Sequence, residues 1–313
     1  MTPDAIDTIY QRLKRSTIIQ AIAPDDEMWL AAPDLSYYFS VGESAVLAIL
    51  RALGIGSLQN VETILDLPCG HGREARHLCA AFPEASFTFC DLYRAGVDFC
   101  TKTFGGRGVY SVPDLTQVRL PGPFDVIWVG SLFTHVDQRR TDEWMKFLCE
   151  CLGDNGVLVA TFHGRWAIEV QRTVHPLIDS DRWRGILRDF ERTGYGYADY
   201  GDRYADYPAS IRGRGKIIKV INFADSVPGG RILARRFFGL FERAPGYGVS
   251  LSKPEKIIEI AGNIPGVRIL CYSERGWADF QDVLAVARTD RLKPFGKAHP
   301  VAQQMVVNTA GGG

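Results

Sequence analysis

Residues 63–91 combine glycines and carboxylates at a spacing that suits the binding of a nucleoside ligand. The segment ILDLPCGHGREARHL reads as a buried strand ending at Asp66, a turn that contains Gly70 and Gly72, and the start of a helix. Glycines let the backbone approach a ligand without collision of β-carbons, and unpaired N–H groups at a helix N-terminus attract negative charge. Asp91 ends the next apolar run, FTFCD, where its carboxylate can accept hydrogen bonds from both hydroxyls of a ribose.

Two ligands fit this layout on residue types alone. Gly70-x-Gly72-x-x-Ala75, followed by an acid about twenty residues on, satisfies the dinucleotide fingerprint G-x-G-x-x-(G/A). Asp66, which precedes the first of these glycines, favours S-adenosylmethionine (SAM) instead, because a carboxylate there orients an ammonium group and repels a pyrophosphate. The sequence therefore predicts a SAM site, and a nicotinamide-dependent oxidoreductase is the alternative.

Two histidines follow the two clearest apolar runs of the chain. His135 comes after FDVIWVGSLF, and His163 comes after GVLVATF. In a parallel sheet both would lie at the carboxyl ends of strands, where such folds bind their ligands. Both are candidate catalytic residues, because a histidine titrates near neutrality and can take the proton of a hydroxyl nucleophile. The alternative for each is to brace a loop through a backbone hydrogen bond. His71, inside the glycine turn, is predicted to be a loop residue.

The glycine turn also resembles a known family motif. Residues Asp66 to Gly72 are similar to the first motif of the class I SAM-dependent methyltransferases, acid-x-(G/P)-x-G-x-G, with Pro68 where glycine is commonest. The paired runs at the end of the chain resemble the closing antiparallel hairpin of that family. This resemblance covers about 61–165 and 250–290, and it concerns the cofactor and the fold rather than the methyl acceptor.

The resemblance implies which residues surround the cofactor SAM. It places Asp91 on the ribose, Asp114 and Leu115 beside the adenine, and residues 130–133 along the methionine part. The cofactor-binding residues so predicted are Asp66, Pro68, Gly70, Gly72, Arg73, Asp91, Leu92, Asp114, Leu115, Gly130, Ser131, Phe133 and Tyr38.

A narrower resemblance concerns the acceptor. G-x-G-R-x-x-R, SLFTH, GVLVATFHG and GW…QDVLAV together look like bacterial methyltransferases found near polysaccharide and natural-product biosynthesis. That group implies Arg73 on the cofactor's carboxylate and O-methylation of a sugar, polysaccharide or natural product. N- or carboxyl-methylation of a small molecule or peptide is an alternative, as is a non-catalytic binding protein on this fold. Methylation of nucleic-acid bases is discounted, because residues 130–133 read Gly-Ser-Leu-Phe where (D/N)-P-P-(Y/F) is usual.

The order of the elements predicts a doubly wound, Rossmann-like α/β fold. From Val61 on, apolar runs alternate with helical stretches, which is typical of βαβ units and a mostly parallel sheet. The N-terminal part is predicted to be helical, with PDLSYYFSVGES as a loop whose Tyr38 either closes over the cofactor or packs against the core. The predicted domains are an N-terminal helical segment 1–60, a SAM-binding core 61–165 and 250–290, an inserted lid subdomain 166–249, and a tail 291–313.

Composition narrows the partners and the compartment. Lys plus Arg (36) equals Asp plus Glu (36) in the 313 residues, so a nucleic-acid partner is not favoured. The expected partner is a small-molecule, glycan or peptide acceptor, and the oligomeric state stays open. No membrane span is expected, because no run of eighteen apolar residues occurs. The seven cysteines show no C-x-x-C pair, which indicates neither a metal site nor disulfides and favours the cytoplasm.

Overall fold

The computed structural model describes residues 1–31, 33–173, 178, 180–200 and 246–289. Its strands are β1 (Thr63–Asp66), β2 (Ser86–Asp91), β3 (Arg107–Tyr110), β4 (Phe124–Val129), β5 (Leu152–Phe162), β6 (Tyr195–Asp199), β7 (Gly248–Ser252), β8 (Val267–Trp277) and β9 (Gln281–Arg288). Its α-helices are α1 (Pro3–Arg15), α2 (Glu27–Ala31), α3 (Leu35–Ile55), α4 (Ala75–Ala81), α5 (Arg94–Phe104), α6 (Gln138–Glu150), α7 (Arg165–Thr173), α8 (Ser180–Thr193) and α9 (Pro254–Gly262).

Seven of these strands form one sheet in the order β3-β2-β1-β4-β5-β9-β8. Strands β1 to β5 are parallel, whereas β9 is antiparallel to both β5 and β8. The predicted doubly wound sheet with a closing antiparallel hairpin is therefore confirmed. The strand order reverses between β1 and β4, and such a reversal opens a ligand crevice at the carboxyl ends of the strands.

The sheet is buried on both faces, as its continuous apolar runs predict. Ile64 of β1 belongs to the cluster that packs under α1, α3, α4 and α5, and the next residue, Leu65, belongs to the cluster under α6 and α9. This alternation follows from the two-residue period of a strand. The carboxyl ends of β1, β2, β4 and β5 are thus held at one edge by two packed layers of helices.

The N-terminal segment differs from the prediction. PDLSYYFSVGES was expected to be a loop, but Leu35–Ile55 is one continuous helix, which Asp34 caps by accepting the backbone N–H of Tyr37 at 3.1 Å. Gly42 lies inside this helix, at the point where α3 touches α4. A β-carbon there would overlap the carbonyl of Arg73 and the ring of His77. The N-terminal part is predicted to be helical, but its first helix ends at Arg15.

Helix α3 is long and apolar enough to cross a membrane by length and composition alone. However, 56% of its most apolar window is buried inside the protein. Ala45, Ile49 and Leu53 lie in the same core as the central sheet. A core helix passes the same test, so the finding is weak evidence for a membrane span.

A second, two-stranded sheet was not predicted. Strands β6 and β7 pair antiparallel, and β7 crosses the predicted lid boundary at residue 249. Three of its N–H groups donate to the carbonyls of His135, Thr134 and His163, at 2.8, 3.0 and 2.9 Å. β7 is therefore tied to the loops that follow β4 and β5. Residues 201–245 of the predicted lid and the predicted tail 291–313 lie outside the described residues.

Candidate functional site

The turn after β1 has the backbone that its glycines predict. Gly70 and Gly72 have φ of +48° and +75°. Residues other than glycine seldom adopt this backbone region. A β-carbon on Gly72 would overlap the Phe104 ring, whereas one on Gly70 would meet no atom within 4 Å. Gly72 is thus required by packing inside the protein, and Gly70 borders open space in which a ligand can lie.

Asp91 links this turn to β2. Its Oδ2 accepts the N–H of Gly70 and its Oδ1 the N–H of Tyr93, both at 2.8 Å. A carboxylate offers about four acceptor positions, so two remain for the hydroxyls of a ribose. Burial raises the pKa of Asp91. The residue therefore both shapes the glycine turn and can hold a sugar beside it.

Asp66 is the most unusual group in the site. It is 1% exposed, and neither carboxylate oxygen accepts a hydrogen bond from any residue that the structure describes. Burial raises its pKa well above the usual range, and the nearby charges of Glu74 and Asp91 add to that shift. A buried carboxyl group without donors is costly. The residues present thus fit a cationic ligand group, such as the ammonium of SAM, better than a pyrophosphate.

A cleft opens next to the turn, at the carboxyl ends of β1, β2 and β3. It encloses about 300 Å³ including its open mouth. The lining residues are largely apolar: Leu67, Pro68, Asp91, Leu92, Ser111, Val112, Leu115, Leu132, Trp144 and Tyr247.

Four of the predicted cofactor residues line this cleft directly: Pro68, Asp91, Leu92 and Leu115. Trp144 of α6 and Tyr247 just before β7 were missed. The motifs could not point to either, because each residue reaches the cleft from an element that is distant in sequence. The aromatic residues give the cleft flat apolar walls, which suit a nucleobase.

Asp114 is placed beside the cleft, but its carboxylate is used within the chain. It accepts the Thr116 N–H at 3.1 Å, the Thr116 hydroxyl at 2.7 Å and the Gln117 side-chain amide at 3.1 Å. The Thr116 hydroxyl is the largest cause of its lowered pKa. Asp114 is thus a turn-capping residue in this structure, and its contact with an adenine stays a prediction.

Arg73 and Tyr38 have protein partners as well. The Nε of Arg73 donates to Glu74 Oε1 at 2.8 Å, so its predicted contact with a cofactor carboxylate would have to share this ion pair. Tyr38 is 1% exposed and its hydroxyl donates to Asp26. This placement matches the packing role that the sequence offered as the alternative for Tyr38.

A buried arginine ties the N-terminal segment to the glycine turn. Arg76 is 1% exposed. Its Nε donates to the carbonyl of Gly72 at 2.9 Å, and its Nη1 donates to the carbonyls of Ile19 and Ala21 at 2.7 and 3.0 Å. Residues 16–26 are thereby fastened against the turn. The second arginine of G-x-G-R-x-x-R has this structural role.

His71 lies under the same segment. It is 5% exposed, and its Nε2 is 3.4 Å from Asp25 Oδ1. Asp25 also accepts the hydroxyl of Tyr93 at 2.9 Å, and burial is the main cause of the raised pKa of Tyr93, about 12. His71 thus sits in the turn as a packed loop residue, as the sequence predicted.

The loop after β4 reaches the cleft from the opposite side. Ser131 has φ of +60°, which is rare for a residue with a side chain. Leu132 then lines the cleft, while Phe133 is fully buried and stacks on Phe162 at 5.3 Å between ring centroids. Any contact of this loop with the methionine part of a cofactor would therefore involve its backbone and Leu132 rather than the Phe133 ring.

His135 stands beside this loop, one ring away from the cleft. Its Nδ1 lies 3.0 Å from the carbonyl of Gly248 and 2.9 Å from the hydroxyl of Tyr200. Its ring stacks on Tyr247, at 6.4 Å between centroids, and Tyr247 lines the cleft. A carbonyl oxygen only accepts, so this contact favours the tautomer that carries its proton on Nδ1 and its basic lone pair on Nε2.

His163 is adjacent but has different properties. It is 4% exposed, its ring centroid lies 6.3 Å from that of His135, and its Nδ1 is 3.3 Å from the carbonyl of Ser250. Burial lowers its pKa to about 3, and the neighbouring His135 contributes to that shift. His163 is thus neutral at physiological pH and a weak base.

Residues 65–158 match a family model described as a methyltransferase domain. This range runs from β1 to β5 and includes the glycine turn, Asp91 and the loop after β4. A comparison with curated proteins found no match.

Several solved structures resemble the fold at low identity. A SAM-dependent methyltransferase from Clostridium acetobutylicum ATCC 824 is 12% identical, with 84% of this chain and 96% of that chain covered and a TM-score of 0.47. Magnesium protoporphyrin IX methyltransferase from Synechocystis PCC 6803, with bound SAH, is 14% identical (90% and 94% covered, TM-score 0.41). N-methyltransferase NodS from Bradyrhizobium japonicum WM9, with S-adenosyl-L-homocysteine (SAH), is 12% identical (91% and 99% covered, TM-score 0.43). These likenesses are too distant to bear on the acceptor or on single residues.

Proposed function

We propose that this chain, whose residues 65–158 match a family model described as a methyltransferase domain, is a class I SAM-dependent methyltransferase that methylates a hydroxyl group of a sugar, polysaccharide or natural product. SAM is its cofactor, and when bound it supplies a methyl group on a sulfonium centre that is already activated. The chain's own task is then to align the acceptor and to remove its proton. We place this activity in the cytoplasm, because all seven cysteines are free thiols.

The single observation that best supports cofactor binding is the buried carboxyl group of Asp66 beneath the glycine turn, which accepts no hydrogen bond from the described part of the chain. A cation in the neighbouring cleft would offset the cost of its burial. The residues that we propose to hold the cofactor are Asp66, Pro68, Gly70, Gly72, Asp91, Leu92 and Leu115, with the backbone of Gly130 and Ser131. Each ends or follows a parallel strand at its carboxyl end, or lines the cleft there.

We propose His135 as the general base. Its Nδ1 lies against the Gly248 carbonyl and the Tyr200 hydroxyl, and the contact with the carbonyl favours the tautomer whose basic lone pair is on Nε2. The ring is half-buried at the end of the loop after β4 and stacks on a wall of the cofactor cleft. His163 has a pKa of about 3 because of its burial, so we assign it the role of a neutral wall behind His135.

The test uses mass spectrometry. Purified protein is incubated with SAM carrying a deuterated methyl group and with hydroxyl-bearing acceptors such as nucleotide sugars, oligosaccharides and polyhydroxylated natural products. Transfer of the label to an oxygen would support the proposal. Label on a nitrogen or a carboxyl group would instead favour the alternative acceptors. Titration with NAD(P) in place of SAM tests the oxidoreductase reading, which predicts binding of the dinucleotide only.

The role of His135 needs a variant that preserves the loop. In His135→Asn the side-chain amide can still donate to the Gly248 carbonyl, but no basic nitrogen remains. Turnover should fall about 10²- to 10⁴-fold, the usual contribution of a general base, while the Kd for SAH stays close to that of the wild type. Unchanged turnover in His135→Asn would remove this residue from the mechanism.

A further inference from the structure

The beginning of β9 lies at the functional edge of the sheet because this strand runs antiparallel to its neighbour. Asp282 pairs with Phe162, and Val283 pairs with Thr161, so the first residues of β9 lie beside the last residues of β5. Gln281, the first residue of β9, is 6% exposed. A buried glutamine amide needs polar partners, and the partners of Gln281 belong to the loop after β4 and the end of β5.

Three side chains form a closed ring of hydrogen bonds. The Ser131 backbone N–H donates to Thr161 Oγ1 at 2.7 Å, and Thr161 Oγ1 donates to Gln281 Oε1 at 2.7 Å. The Gln281 Nε2 then donates to Ser131 Oγ at 3.0 Å. The Thr161 hydroxyl has one proton, which its bond to Gln281 Oε1 uses, while its oxygen accepts the Ser131 N–H.

The remaining protons follow from the same reasoning. Thr134 Oγ1 donates to the carbonyl of Ser131 at 2.8 Å. In its contact with Ser131 Oγ at 3.2 Å, Thr134 must therefore accept. The hydroxyl proton of Ser131 is thus used inside the network. Ser131 can act on a ligand only as an acceptor, through a remaining lone pair of its carbonyl or of its hydroxyl oxygen, and not as a donor.

Ser131 needs this support because its backbone has φ of +60°. A side-chain-bearing residue keeps such a conformation only where its surroundings enforce it. The turn at Ser131 sets the direction of the next residues, which place Leu132 in the cleft wall and His135 beside Tyr247. We propose that Gln281 is a positioning residue that holds Ser131 in this turn, and so sets the cofactor-facing loop; this inference rests on the proposed function.

The inference predicts a specific rescue. Gln281→Met keeps the approximate size and removes both hydrogen bonds, so the Kd for SAH should rise about tenfold. Glycine adopts positive φ without strain, so Ser131→Gly no longer needs the ring. The double variant Ser131→Gly/Gln281→Met should return to within about threefold of the wild-type Kd. Isothermal titration with SAH measures the Kd of the wild type and of the three variants, and it needs no methyl acceptor.

Each outcome has a definite meaning. A wild-type Kd in Gln281→Met would overturn the inference, and so would a weakened Kd that Ser131→Gly fails to restore, because Gln281 would then act on the ligand directly. Thr161→Val removes the next bond of the same ring and should show the same loss and the same rescue, which keeps the test available if Gln281→Met does not fold.

The control is Thr141→Val on α6, which removes a buried hydroxyl bonded to Tyr195 at 2.8 Å, outside the ring. It should lower the unfolding temperature and leave the Kd for SAH unchanged. An increased Kd in this variant would show that general destabilisation explains the effect of Gln281→Met, and would also overturn the inference. A wild-type protein that binds no SAH would instead contradict the proposed function, and the inference would fall with it.

Discussion

The two sides of the central crevice are assembled from different parts of the chain. On the β1–β2 side, the key bond from the Gly70 N–H to Asp91 joins residues only 21 positions apart. On the β4–β5 side, His135 meets the carbonyl of Gly248 across 113 positions, and Gln281 meets Ser131 across 150. The β1–β2 side is therefore defined by short motifs, whereas the β4–β5 side depends on the whole fold to bring its residues together.

The largest binding effect is expected from Asp91 on the motif-defined side. Asp91→Ala removes the acceptor for the Gly70 N–H and the proposed ribose contact, so SAH binding should weaken by about 1–3 kcal/mol. Titration calorimetry measures this directly. Asp98→Ala is the control, because Asp98 is exposed on α5 and its carboxylate accepts only the Tyr110 hydroxyl among the described residues. Equal affinities in the two variants would contradict the ribose assignment.

Comparing Gly70 with Gly266 distinguishes a clash with the cofactor from the strain of a positive φ. Gly70 and Gly266 both have positive φ, and a β-carbon on either meets no protein atom within 4 Å. Gly70→Ala and Gly266→Ala should therefore each lower the free energy of unfolding by about 1 kcal/mol. Only Gly70→Ala should also raise the Kd for SAH, by about tenfold, because its methyl group would enter the space proposed for the cofactor. A similar Kd in both variants would place the cofactor elsewhere.

The contrast between the two sides also explains what the sequence could predict. The apolar runs of β1, β4 and β5 predicted the sheet, because a strand buried on both faces must be continuously apolar. The turn at Gly70 and Gly72 was identifiable because its backbone needs glycine whatever surrounds it. Neither inference required knowledge of distant residues.

Errors arose where a residue's role depends on a distant partner. The segment PDLSYYFSVGES was predicted to be a loop, but its Gly42 is a contact point between α3 and α4 inside a continuous helix. The sequence did not point to Gln281, because ligand sites are expected at the carboxyl ends of parallel strands. β9 is antiparallel, so it presents its first residue at that edge of the sheet. The one available signal was a polar Gln281-Asp282 pair before an otherwise apolar strand, VLAVA.

Asp66, on the β1–β2 side, should make the stability of the folded protein depend on pH. Its pKa in the folded protein is raised well above the usual range by burial, so the folded state holds its proton at pH values where the unfolded state has lost it. The ligand-free protein should therefore lose stability as pH rises through the range between those two pKa values. Asp66→Asn cannot titrate and should lack this component. Denaturant unfolding of both proteins at a series of pH values from 5 to 9 measures the difference.

The binding of SAH should counter this effect in the wild type, because a cation beside Asp66 favours its charged form. Proton release on binding, measured by calorimetry in buffers of different ionisation enthalpy, should be present in the wild type and reduced in Asp66→Asn. An identical pH profile for the two proteins would show that Asp66 is not the group that titrates.

His163 should produce the opposite pH dependence on the β4–β5 side, and the smallest change in turnover. Its pKa of about 3 in the folded protein lies below the usual 6.5, so between these values the unfolded state binds a proton that the folded state does not. Stability should fall as the pH drops through this window, by about 2 kcal/mol between pH 7.5 and pH 5. His163→Asn keeps a donor for the Ser250 carbonyl and cannot titrate there, so it should lose less stability on acidification. Its turnover should fall only a few-fold, in contrast to His135→Asn. If His163→Asn instead lost as much turnover as His135→Asn, the two histidines would act together, and the assignment of a single base would be wrong.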